Sequence, residues 1–292
     1  MAIINAEFFS SCSANLRQLI QHTSISEPAF REVGHQIYDH SEQSPELPSQ
    51  WALCVAAYTG IADDSHTAAT KLSAVIDMYT MLQPAFAKAQ PGDVIHELTT
   101  FKKALSAIDS DSFASKLDAL SGDIGHFLRL PELAHLVQPP TGVPAPNSSL
   151  PGWLEIASAT LQSATRRVAE YADWLTLGMT TWLGRVLIGG GSVFDEDPDS
   201  QQKVVANIQY LLHEVEEQKS LYGVIKQIEG ELIAEFDRYS AALEPFQGKR
   251  ATTENTDAAG RVHADVAAHA AEWKKLSHML LNEYAKTTGK RS

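Results

Sequence analysis

The chain has 292 residues, 44% hydrophobic and 20% charged, with a formal net charge of −13. That is apolar material enough for a sizeable core, in one large domain or two small ones. The acidic balance disfavours nucleic acid as a partner and broad electrostatic docking on an anionic membrane, since both need clustered Lys and Arg, but it leaves hydrophobic insertion open.

Residues 2–22 read as a helix, with Ile3, Ile4, Phe8, Leu16, Leu19 and Ile20 apolar. The same N-terminus lacks the basic n-region and sustained apolar core of a signal peptide. A soluble protein is expected, cytoplasmic or released by a non-classical route. Ser26 is placed to cap a second helix with Pro28 in its first turn, running to about Glu42. SPELPSQ, residues 44–50, reads as a turn. Trp51–Tyr58 begins a third helix. Asp63, Asp64 and Ser65 offer caps for a run from His66 to Gln90 that Pro84 is expected to kink. Asp93 can cap Val94–Ile108, helix resumes over Ser110–Leu120, and Pro131 starts a short turn. Cys12 and Cys54 are too few for a disulfide scaffold and are expected to be free, packed thiols.

Residues 138–152, QPPTGVPAPNSSLPG, hold five Pro and two Gly and suit no regular ladder. They are expected to be an internal loop in a single fold spanning residues 1–292. Next, Trp153–Trp174 carries Leu154, Ala157, Leu161, Ala164, Val168, Tyr171 and Leu175 on one helical face. The segment 174–194 then breaks this stripe. In it Trp174, Leu175, Leu177, Met179, Trp182, Leu183, Val186, Leu187, Ile188, Val193 and Phe194 stand together with Arg185 as the only charge. DEDPD, residues 195–199, ends it.

The strongest periodic signal follows. Val204, Ile208, Leu211, Val215, Gln218, Tyr222, Ile225, Glu229, Leu232, Phe236, Tyr239 and Leu243 are spaced by alternating four and three, the seam of a helix packed in a bundle. No Pro interrupts it. A 40-residue helix is about 60 Å long, so an elongated all-α bundle of long antiparallel helices is expected, with 174–194 as an apolar head at its tip. A turn over Pro245–Asn255 leads to a last helix, Asp257 to about Lys286, packing Val262, Val266, His269, Trp273, Leu276, Leu280 and Tyr284.

Signs of chemistry are thin. Glu32 with His35 and Glu132 with His135 are E-x-x-H pairs, and with Glu7 and Glu97 they would make the donor set of a carboxylate-bridged di-metal bundle. Two such pairs are close to chance in a chain with this much Glu and His. His263, His269 and His278, spaced by six and nine, do not share one helical face, and His213-Glu214 is not H-E-x-x-H. Gly189-Gly190-Gly191 lacks the Lys of a phosphate loop, and no G-x-S-x-G occurs. No catalytic residue, metal or cofactor is expected, and the protein is read as non-enzymatic.

The order of parts resembles the α-helical pore-forming toxins, the ClyA-like and haemolysin-BL-like group. The resemblance rests on Trp153–Trp174, the apolar 175–194, the rod 200–244, and a closing helix reading A-E-W-K-K-L-S-H-M-L-L around Trp273. It covers about half the chain and is architectural. It implies an apolar head that enters the bilayer between two long helices, with membrane lipid and self or partner subunits as partners. The alternative from the rods alone is a coiled-coil or BAR-like scaffold with Lys249-Arg250 in a tip loop, against which the acidic balance argues. The apolar 174–194 separates the two readings, because a scaffold has no use for it except as a dimer interface.

Overall fold

A computed structural model describes residues 6–39, 46–134, 198–248 and 253–286. The fold is all-α, with no strand among the described residues. The chain divides into two compact units, one made of Met1–Phe127 and Asn207–Ser292, the other of Leu128–Ala206. The second is described only at its margins, where Pro131–Ala134 forms a one-turn helix, α5, and the chain enters α6 at Pro198. Pro suits both starts, because the first turn of a helix has no use for its missing N–H.

The first unit is a helical bundle. Its α1, Ala6–Asp39, is one 34-residue helix, where the sequence suggests two helices meeting at Ser26. The reason is a seam that polar residues conceal. Phe9, Cys12, Leu16, Leu19, Thr23, Ser26, Phe30, Val33 and Ile37 alternate by three and four, and all are buried. Ser26 spends its hydroxyl on the His22 carbonyl at 2.9 Å instead of capping a helix start. Burial on both sides outweighs the cost of Pro28 inside the helix, about 3 kcal/mol. The same holds for α2, Glu46–Phe86, which runs through the expected caps at 63–65. Trp51, Cys54, Tyr58, Ile61, Ser65, Ala68, Leu72, Val75 and Tyr79 form its buried seam. Ser65 lies in it and donates to the Ala62 carbonyl at 2.7 Å.

Then come α3, Pro91–Leu105, and α4, Ser112–Phe127. Gln90, not Asp93, is the N-cap of α3, and Pro91 opens it. The long α6 runs from Pro198 to Leu243 without interruption, about 69 Å at 1.5 Å per residue. Every position of its expected seam is buried except the half-buried Glu229. A short 3-10 turn, Glu244–Phe246, follows, and Gly248 takes a left-handed φ of 71° that favours glycine. The C-terminal arm consists of α7, Thr253–Ala267, α8, Ala270–His278, and a π-helical segment, Met279–Ala285. One unbroken helix is expected there from sequence. Instead His269 N–H bonds back to Val266 in a tight turn, and the buried face carries His263 where Val262 is expected.

Pairings set the directions. Tyr58 meets Gln218 and Tyr79 meets Glu235, so α2 and α6 are parallel. Gln36 meets Asn207 and Ser26 meets Gln218, so α1 opposes α6. Phe101 packs on Phe236 and Phe113 on Tyr222, so α3 and α4 run end to end against it. Tyr239 meets His263 and Glu235 meets Trp273, so the arm also opposes α6. No helix among the described residues is long and apolar enough to cross a membrane.

Candidate functional site

The core of the bundle is crossed by polar layers at the seams between helices. Glu235 on α6 is the most buried carboxylate among the described residues, 1% exposed. Its Oε1 accepts the Tyr79 hydroxyl of α2 at 2.7 Å, and its Oε2 accepts Trp273 Nε1–H of α8 at 2.9 Å. His269 Nδ1 lies 3.5 Å from the same Oε2. Phe9 of α1 stands edge-on to Trp273, with ring centroids 5.1 Å apart, and also covers His269. Burial pushes the Glu235 carboxyl above the ordinary carboxylate range, opposed by its Tyr79 and Trp273 donors and by the neighbouring His269 and Arg238. A carboxylate placed this way accepts from two helices, α2 and α8, at once, and its position on α6 is fixed by both.

One to two turns along the arm, the Ser73 and Ser277 hydroxyls meet at 2.8 Å, and Ser277 reaches Asp77 at 2.6 Å. Beyond them Ser65 meets the Tyr284 hydroxyl at 2.7 Å, and the His66 ring lies 4.6 Å from the Tyr284 ring. The wider turns of the π segment re-phase the helix so that Tyr284 faces inward here. On the α1 side Tyr58 donates to Gln218 Oε1 at 3.1 Å, and Gln218 Nε2 donates to Ser26 at 2.7 Å. His22 Nδ1 and Glu214 Oε2 are 2.7 Å apart. That hydrogen bond raises the His22 pKa, which favours a charged pair.

The polar groups of this constellation bond one another across the helix seams. The Ser26, Ser65, Ser73 and Ser277 hydroxyls bond carbonyl, hydroxyl or carboxylate partners. Cys12 and Cys54 are free and buried, and burial pushes both thiols up to about 11, away from the reactive thiolate. Among the described residues no group of three His, Cys, Asp or Glu is gathered as a metal site would need. Glu32 bonds Gln36 on its own helix, and His135 lies outside the described residues. His263 and His269 face the core, while His278 is exposed beside Glu283.

The expected head lies outside the described residues, including Trp174, Leu175, Leu177, Met179, Trp182, Leu183, Val186, Leu187, Ile188, Val193 and Phe194. So does the loop 138–152. The bundle does describe where the chain departs and returns. Phe127, the last residue of α4, packs on Trp51, with ring centroids 5.2 Å apart. Asn207, the first residue after the second unit, bonds Gln36 near the end of α1 at 3.1 Å. Both points lie at the end of the bundle where α1 finishes and α2 starts.

Sequence reasoning misses Glu214 and Glu235, since glutamate on a long helix reads as solvent-facing. A signal was present: Glu214, Leu221, Ile228 and Glu235 recur every seven residues beside the main seam, and all four are buried. Comparison with protein-family models, curated proteins and solved structures gives no match to this chain.

Proposed function

We propose that the chain is a non-enzymatic, membrane-acting helical-bundle protein of the pore-forming type, with 174–194 as the segment that enters lipid. The observation that carries this reading is the pairing of an apolar, Trp-bearing segment with a bundle that gives up and recovers the chain at one end. Two strands of chain leaving a single end can carry an apolar segment toward a bilayer while the seams of the bundle stay closed. Trp is favoured at membrane interfaces, and an apolar stretch of this size with one charge suits that role. Membrane lipid and further subunits, of this chain or another, are the partners the reading implies.

The test is dye release from phosphatidylcholine vesicles, with and without a lysate of candidate target cells, by the wild type and by Leu187→Asp. A charge at the centre of the bilayer costs at least about 2.5 kcal/mol per inserted helix, multiplied by each subunit. Leu187→Asp is expected to abolish binding and release and to leave the urea midpoint unchanged. If the substitution unfolds the protein in water, 174–194 is ordinary core. If it leaves lipid binding intact, the pore-forming reading is wrong and the scaffold reading replaces it.

A further inference from the structure

We propose that the C-terminal arm, α7 through the π segment, is an acid-released clasp, docked on α2 and α6 through seams that enclose His66, His263 and His269. The three histidines mark three levels of one interface. At the first, His263 of α7 is buried with Nδ1 on the Tyr239 hydroxyl of α6. At the second, His269 sits at the break between α7 and α8, facing Glu235 of α6 beneath Phe9 of α1. At the third, His66 of α2 is buried against Tyr284 of the π segment. Between the second and third, Ser73, Ser277 and Asp77 join the arm to α2 by bonds that involve no histidine.

The charges around each ring decide the direction. His263 is met by Tyr239, a neutral hydroxyl, and burial alone pushes its pKa down. His66 is met by Tyr284 from the arm. Burial pushes its pKa down, opposed by Asp63 one turn earlier on α2. Each is therefore docked neutral and gains a proton more easily in water. Glu235, flanked by Arg238 on α6 and His269 on α8, works the other way, because burial raises its pKa and release would let its proton go. The sign follows. A histidine whose docked pKa is lowered destabilises the docked state as pH falls below about 6.5, and a glutamate whose docked pKa is raised stabilises it over the window down to about 4.3. Two protons taken up against one released leaves net uptake, so acid favours release. This inference concerns the first unit alone and stands whether or not the membrane reading holds.

A histidine silent when docked and free at its ordinary pKa when released adds about 30-fold to the release constant between pH 7.5 and 5.0, less what Glu235 returns. The experiment is amide hydrogen exchange over residues 270–284 at both pH values, corrected for the intrinsic rate, with α3 as internal reference. The opening constant of the arm is expected to rise more than about five-fold at pH 5.0, with α3 unchanged. The paired variant His66→Gln with His263→Asn should remove most of the rise, and each single variant about half of it on a logarithmic scale. Oxidised Ser73→Cys with Ser277→Cys, built where the hydroxyls are 2.8 Å apart, should abolish it. A smaller rise in the wild type, an equal rise in α3, or an undiminished rise in the histidine variants overturns the proposal. If the paired variant does not fold, the single variants and the disulfide lock decide it.

Discussion

Replacing Phe236 by Ala tests whether the bundle is held by the α6 seam. Phe236 is fully buried, with its ring centroid 4.7 Å from that of Tyr79 on α2 and 5.8 Å from that of Phe101 on α3. A buried Phe removes about 150–250 Å² from water, and most of that area is lost on truncation to Ala. At about 25 cal/mol per Å² the transfer term is about 2–4 kcal/mol. The cavity left among two rings adds about 1 kcal/mol, because aromatic walls on separate helices collapse only partly. The expected loss is therefore about 3–5 kcal/mol, read as a shift of the urea midpoint with the slope unchanged. Met81→Ala is the control. It lies on α2 but is 68% exposed, so its effect should stay within about 0.5 kcal/mol. A loss below about 1 kcal/mol for Phe236→Ala would mean that α6 does not pack between α2 and α3, and the argument from its heptad seam would fail with it.

Three further outcomes are expected. Glu214→Gln removes a partner whose hydrogen bond raises the His22 pKa. That stabilisation is fully present below about pH 6.5 and is lost as pH rises through the raised value, so the substitution should cost about 1 kcal/mol more at pH 6 than at pH 9 in paired urea titrations. An equal cost at both pH values would show that His22 is neutral in the fold. Cys12 and Cys54 should react negligibly with a disulfide reagent at pH 8 in the native protein and fully in urea, since both are buried with thiols near 11. Leu187→Asp is expected to eliminate vesicle leakage and leave the urea midpoint in place, and retained leakage would refute the role given to 174–194.

What the sequence disclosed depended on how purely apolar each seam was. The α6 seam is nearly continuous Val, Ile, Leu, Phe and Tyr, and its position and extent were legible residue by residue. The seams of α1 and α2 have the same rhythm but pass through Thr23, Ser26 and Ser65, all buried, with both serines bonded inside the bundle. Polar residues beside a Pro or a pair of Asp read locally as caps, because isolated helices use them that way. Tertiary burial overrides that preference, and two separate segments become one helix. The break at 268–269 was hidden for the opposite reason. Its AAHAAE run is a good helix former, and only the placement of His269 on Glu235 accompanies the tight turn seen there. The candidate site was least legible, since a buried carboxylate is rare and its partners come from residues 79, 269 and 273, distant in sequence.

These polar layers explain how parallel seams of one rhythm keep a single register. The α2 and α6 seams both step by three and four, so sliding one past the other by seven residues would again oppose apolar to apolar. Such a slip would move Glu235 from Tyr79 to Leu72 or Phe86 and strand a buried carboxylate. It would also separate Gln218 from Tyr58. A buried group left unsatisfied costs about 1–3 kcal/mol, more when charged, so two stranded groups are enough to reject the slipped pairing in a fold of ordinary stability. The same atoms make the C-terminal arm separable. Ser277 and Tyr284 meet α2, and Trp273 meets α6, through hydrogen bonds that water can replace on both sides when the arm leaves. An arm docked by leucine alone would have neither a fixed register nor a proton-sensitive way out.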